Sequence, residues 1–131
     1  MIELQIKTSK REQFVDITSK LENLCVENNW NDGLLTVFVP HTTCGITINE
    51  NADPDVKDDM IDFLNKLVPN HPEFKHFEGN SDAHIKAGMM GSSVSVIVED
   101  GKLKLGRWQA VYLAEFDGAR ERNIWIKFLT D

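Results

Sequence analysis

The residues with the most to offer chemically fall into a few short runs. The first is His41-Thr42-Thr43-Cys44-Gly45, directly after Pro40 and between two apolar stretches. A polar run at the end of a strand is a place where a rigid scaffold presents side chains. His41 brings an imidazole suited to metal binding or proton transfer near neutral pH. The hydroxyls of Thr42 and Thr43 can hold phosphate or carboxylate oxygens, or can satisfy the backbone of a turn. Cys44 follows His41 by three residues, but a reactive thiol needs an electropositive, partly exposed setting. It reads as a small buried thiol, and Cys25, on an apolar helical face, as core.

The second run, Glu50 to Asp62, holds six acids and one lysine. Acids at a helix start favour the macrodipole, so Asp55 and Asp62 read as a solvated face and Asp53 as a helix cap. Asp58 or Asp59 is open to an inward role. Glu50 stands apart because it closes the strand that begins at the His41 loop. The third run, His76 to Ser92, is the densest in polar groups. His76 and His84 are eight residues apart, with a loop and a helix start between them. Asn80 and the free N–H groups of the first turn favour an anion, and with His84 and Lys86 they make a phosphate cradle. Two histidines with Glu50 or a third histidine are alternatively a metal set for zinc or a similar ion, although the spacing matches no standard signature. His71, before Pro72, reads as exposed. The last runs are Gly106-Arg107-Trp108-Gln109 and Glu115 to Arg122. Arg120 and Arg122 are counter-charges for a phosphate in an acidic chain, or else they pair with Glu115, Asp117 and Glu121. Trp108 reads as core.

These side chains need elements to hold them. The chain has 131 residues, 14 Lys plus Arg against 21 Asp plus Glu, and a formal net charge of −7. Such length fits a single domain, here residues 1–131. The 41% hydrophobic and 27% charged shares exclude a disordered chain. The acid excess argues against nucleic-acid or anionic-membrane partners, which demand basic surface. Met1 to Lys7 alternates rather than forming a signal peptide, and no apolar stretch approaches the roughly 20 residues of a membrane span. A soluble cytoplasmic protein is expected.

Alternation over Ile2-Leu4-Ile6 predicts a strand. Phe14, Val15 and Ile17 make a second short strand or the entry to a helix, which Asp16 or Thr18 caps and Asn31-Asp32-Gly33 stops. Leu34–Val39 and Gly45–Asn49 read as strands. Asp53-Pro54 starts a helix with Val56, Met60, Phe63, Leu64 and Leu67 on its apolar face. Ser81 or Asp82 caps a short helix ending at Gly91. Strands follow over Ser93–Val98, Lys102–Leu105, Trp108–Phe116 and Asn123–Leu129, with hairpin turns at Glu99-Asp100-Gly101 and Asp117-Gly118-Ala119. The tally is about eight strands and three helices in an α+β class, mostly antiparallel, with a β-meander in the C-terminal third.

Taken together, several motifs resemble the YjbQ-type family. They are His41-Thr42-Thr43, Ile48-Asn49-Glu50, Asp53-Pro54, Asp59, Pro69, His76, Asn80, Ala83-His84, Gly91-Ser92, Gly101-x-Leu103-x-Leu105-Gly106-x-Trp108-Gln109 and Glu115-Phe116-Asp117-Gly118-x-Arg120-x-Arg122. They run in the family's order over nearly the whole chain. Ala119 departs from the proline usual there, which loosens that turn, and Arg107 occupies a variable place. The resemblance implies a single-domain α+β homotrimer with a polar pocket around the histidines. It also implies a weak thiamine-phosphate synthase activity, which joins hydroxymethylpyrimidine diphosphate to a thiazole phosphate and releases pyrophosphate. On that reading His41, Glu50 and His84 are catalytic. Thr42, Thr43, Asn80, Arg120 and Arg122 bind phosphate, and His41, His76 and His84 can hold a divalent metal, zinc or magnesium. Three histidines favour zinc, whereas magnesium chemistry favours carboxylates. The rival readings are a non-catalytic trimeric binder of a phosphorylated metabolite or metal, and a metal-dependent phosphohydrolase.

Overall fold

A computed structural model describes residues 1–131. In chain order the elements are β1 (Ile2–Lys7), β2 (Gln13–Asp16), α1 (Thr18–Glu27), β3 (Gly33–Phe38), β4 (Cys44–Glu50), α2 (Pro54–Leu67), α3 (Ser81–Met90), β5 (Ser93–Glu99), β6 (Lys102–Leu103), β7 (Gln109–Glu115) and β8 (Glu121–Thr130). They form two antiparallel sheets, one ordered β1-β8-β3-β5-β6 and one ordered β2-β7-β4. The α+β class is therefore as expected. No helix is long and apolar enough to cross a membrane.

Between the sheets lies the larger core, which includes Ile6, Leu35, Val37, Ile46, Val111, Leu113, Ile124 and Ile126 and is closed at one side by Leu21, Leu24 and Cys25 of α1. A second core lies on the other face of the small sheet, where Leu64 of α2 and Ala83 and Ala87 of α3 meet Phe14, Ala110, Tyr112 and Ala114. β7 is thus covered on both faces, and every residue from Ala110 to Glu115 is buried. That explains its unbroken apolar run, since a strand buried on both sides loses alternation. Alanines on the helix side let α3 come close. Gly45 completes the approach: a Cβ there would stand 2.7 Å from the Gly91 carbonyl and 2.9 Å from the Met90 Cβ.

Several local expectations are corrected. α1 stops at Glu27, before Asn31-Gly33, because Asn29 takes a left-handed φ of 53°. Asn29 N–H then donates to Val26 O and Trp30 N–H to Cys25 O, a closing motif that asparagine tolerates in place of glycine. At the other end of α1, Asp16 accepts from Thr18 N–H, while the Thr18 hydroxyl accepts from Val111 N–H. Asp53 does cap α2, accepting from Asp55 N–H. Phe63 and Leu67 lie outside the α2 contact, 64% and 56% exposed, and Asp58 and Asp59 both face solvent. Neither Ser81 nor Asp82 caps α3. Asn80 holds the cap position without a capping bond, and buried Asp82 pairs with Arg11 instead. The C-terminal third is not a meander. β7 and β8 belong to different sheets, so Phe116–Arg120 is a crossover and not a hairpin. It is tied down where Ala119 was expected to loosen it: Gly118 N–H donates to Arg11 O, Thr8 N–H donates to Arg120 O, and the Thr8 hydroxyl accepts from Arg120 N–H.

Candidate functional site

Three chain segments end at one place. The β3–β4 connection brings Pro40 to Thr43, the segment before α3 brings His76 to Asn80, and the β7–β8 crossover brings Asp117 to Arg122. With His84 from the first turn of α3, they surround a cavity of about 400 Å³ whose eleven lining residues are all polar or charged except Pro40. His41, His76 and His84 all line it, as do Thr42, Thr43, Asn80, Arg120 and Arg122. The His76 and His84 rings stand edge to face, 5.2 Å between centroids. His76 Nε2 lies 3.9 Å from Glu78.

Below this cavity sits a buried charge network. Glu115 is fully buried and Arg122 is 2% exposed. Arg122 Nε donates to Glu115 Oε1 at 2.9 Å, Nη2 donates to Glu115 Oε2, and Nη2 also donates to Thr43 Oγ1 at 2.8 Å. The Thr8 hydroxyl and the Phe116 and Asp117 N–H groups complete the carboxylate's shell. Burial pushes the Glu115 carboxyl up, but the bonds from Arg122, Thr8 and Asp117 outweigh it and hold its pKa below the ordinary value. The Arg122 nitrogen left over, Nη1, has no partner in the chain, and the residue faces the cavity. A buried guanidinium with a spare donor pair is a preorganised anion contact.

His41 is fixed as well. Asn123 N–H donates to its Nε2 at 2.9 Å, which places the ring proton of the neutral imidazole on Nδ1. Burial, then the nearby Arg122 charge, lowers its pKa. His41 is therefore a neutral Nδ1–H donor, and ligating a metal or taking a proton through Nε2 would break the Asn123 bond. At the rim, Arg120 pairs with Asp117 at 3.1 Å, and Asn80 Nδ2 donates to the same carboxylate oxygen at 2.8 Å. That bond sets the amide's orientation and leaves Asn80 Oδ1 as a buried acceptor without a partner.

Not every expected residue arrives here. Glu50 pairs with Gln109 at one end of the small sheet, while Cys44 pairs with Glu115 at the other. Six residues at about 3.3 Å each put Glu50 roughly 20 Å away, so it does not orient the histidines. Trp108, near that far end, is 52% exposed with the Arg107 guanidinium over its ring, so it is not core. Lys86 leaves the cradle: it is buried against Glu12, Asn65 and Asp82. Thr43 is buried as the partner of Arg122 and not as an open phosphate ligand. No three His, Cys, Asp or Glu side chains converge where one ion could sit. The three histidines share the cavity with two carboxylates, Glu78 and the paired Asp117. Cys44 is inert, its pKa pushed up to about 12 by burial. The sequence offered Glu115 only as one of three acids the arginines could pair with, and the Arg122–Glu115 pair is the one that is buried. The signal for Glu115 was an acid set between Ala114 and Phe116 in a run otherwise apolar. A larger concavity of about 640 Å³, at the other end of β3, is lined by Asp32, Leu34, Ile97, Glu99 and Leu129 among others and has no cation.

Fold and cavity together define a small two-sheet α+β protein whose strand ends surround a polar, histidine-lined site. Residues 2–131 match the family model described as UPF0047 protein YjbQ-like, and the chain belongs to that family. A UPF0047 protein of Methanocaldococcus jannaschii is 51% identical over 131 residues, 100% of this chain and 95% of its own. YugU of Bacillus subtilis, also a UPF0047 protein, is 49% identical over 127 residues, 96% of each chain. A crystal structure of a YjbQ/UPF0047 protein from Clostridium acetobutylicum aligns with a TM-score of 0.95 at 53% identity, covering 98% of this chain and 100% of that one.

Proposed function

We propose that the cavity binds the diphosphate of a small substrate and that the chain joins hydroxymethylpyrimidine diphosphate to a thiazole phosphate, a thiamine-phosphate synthase reaction. The observation that carries this reading is the buried Arg122, which lines the polar cavity and whose Nη1 has no partner in the chain. In the reaction the thiazole nitrogen bonds to the methylene carbon of the pyrimidine. The carbon–oxygen bond to the diphosphate breaks, and its electron pair leaves on pyrophosphate. Charge gathers on that leaving group, so fixed donors aimed at it lower the barrier. Arg122 Nη1, His41 Nδ1–H and the Thr42 hydroxyl are such donors, with Arg120 at the rim. Asn80 Oδ1, an acceptor awaiting a donor, suits an amino or hydroxyl group of the substrate. His84 is the remaining candidate for acid–base work. No step is assigned to a metal. Following the same resemblance, we also propose that the chain assembles as a homotrimer.

The test is to supply both phosphorylated substrates and follow pyrophosphate and thiamine phosphate together. Equimolar formation of the two, reduced about 100-fold or more in His84→Ala, supports the assignment. A thermal shift with the substrates but no product would instead make the protein a binder. Unchanged turnover in a folded His84→Ala would remove the histidine's role.

A further inference from the structure

A second, smaller cavity of about 260 Å³ adjoins the first. His41, Thr42 and His84 line both, and the smaller one is otherwise bounded by Ala87, Gly88 and Ser92. The two differ in chemistry. Arg120, Arg122, Glu78 and Asp117 line the larger, whereas no Arg, Lys, Asp or Glu lines the smaller. Leaving water for such a wall is costly for a phosphate and cheap for an uncharged ring. The space equals about nine waters at roughly 30 Å³ each, room for one substituted ring.

Gly88 is informative. It lies inside α3 one turn after His84, so His84, Ala87 and Gly88 share a helix face. Glycine inside a helix costs about 1 kcal/mol relative to alanine. Packing does not demand it here, because a Cβ at Gly88 meets no atom within 4 Å. The missing side chain leaves the cavity wall open.

We infer that the site is two-chambered and selects a ligand with two unlike ends: a diphosphate in the larger chamber and an uncharged single-ring heterocycle in the smaller. Gly88 is the residue that admits the ring. The inference rests on the anion reading above and deepens it. The linking carbon, whose bond to oxygen breaks, then lies between the chambers beside His41, Thr42 and His84.

The test titrates wild type, Gly88→Ala and Gly88→Leu calorimetrically with two probes. Inorganic pyrophosphate carries the charge alone, and hydroxymethylpyrimidine diphosphate carries charge and ring. Pyrophosphate is expected to bind all three proteins within about twofold, while the ring-bearing probe weakens at least about tenfold in Gly88→Leu and less in Gly88→Ala. If Gly88→Leu does not fold, Gly88→Ala decides by the same preference, about threefold. Equal affinity of the ring-bearing probe for variant and wild type, with pyrophosphate binding intact, overturns the second chamber alone. Equal weakening of both probes also overturns it. Failure of pyrophosphate to bind any of the three overturns the anion reading, and the second chamber falls with it.

Discussion

Arg122 spends two of its three nitrogens inside the protein and leaves the third without a partner in the chain. Its partner Glu115 has no exposed surface, so removing the arginine strands a buried carboxylate. Arg122→Met is expected to lose about 3–5 kcal/mol of unfolding free energy at pH 7, read by urea denaturation. The pH dependence has a definite sign. Glu115 in the native wild type has its pKa below the ordinary 4.5. Its contribution is therefore complete above 4.5 and fades as pH falls through the lower native value. In Arg122→Met, burial without a partner raises that pKa, so the stranded acid takes up a proton early and the penalty shrinks. The gap between wild type and variant should narrow as pH falls, first above 4.5 through the variant's raised pKa and then below 4.5 through the lowered native value. A gap constant with pH would mean that packing of the guanidinium, and not its charge, holds the floor of the site. At this scale the sequence offered Arg122 as a phosphate ligand or as a partner of Glu115, and the structure has it doing the pairing while one nitrogen stays open. No local rule could assign both tasks, because Glu115 reaches it from β7 and Thr43 from the β3–β4 connection.

The elements were more legible where their signals are local. Asp53-Pro54 marks a helix start by capping and by the fixed φ of proline, and α2 begins there. Asp100-Gly101 carries the left-handed pair a tight hairpin needs, with φ of 53° and 76°. Strand partnership was not legible. β7 and β8 are separated by a short crossover, yet β7 pairs with β2 and β4 while β8 pairs with β1 and β3. That choice is made by two cores at once, since β7 must face both. The placing of α3 depends on the same close packing, and it is α3 that delivers His84. Gly45→Ala is the test. Its Cβ would press on the Gly91 carbonyl and the Met90 Cβ, both at the C-terminal end of α3. A loss of about 1–3 kcal/mol is expected, measured by thermal unfolding. The added methyl should also raise amide exchange in α3 above that in β1 or β8. Uniform change across the chain would mean that Gly45 does not set the helix position.

The whole molecule leaves one sheet face uncovered. On the five-stranded sheet Leu34 lies opposite both Ile97 and Leu129, and Phe38 lies opposite Trp125, with the last pair of rings stacked 5.8 Å apart. Residues paired across strands point to the same side, and residues 34 and 38 share that side by alternation. Ile97 is 58% exposed and Leu129 is 54% exposed, an apolar cluster with Leu34 that the polar row Thr36, Ser95 and Lys127 separates from the Phe38–Trp125 pair. A second copy of the chain is the simplest cover, and the proposed trimer is a ring closed by repeating one contact three times. Light scattering after gel filtration should then give three times 14.9 kDa, about 45 kDa. Ile97→Lys leaves the inner core untouched and places a charge in the contact, so it should run near the mass of one chain while keeping its far-ultraviolet circular dichroism. Electrostatics adds a condition. Each chain carries −7, so assembly brings like charges together and screening should favour it. Raising salt from about 0.05 M to 0.5 M ought to tighten the assembly if apolar burial drives it. Dissociation by salt would point instead to ion pairs across the contact, and a wild type that runs as one chain at both salt concentrations would leave the face without a partner of its own kind.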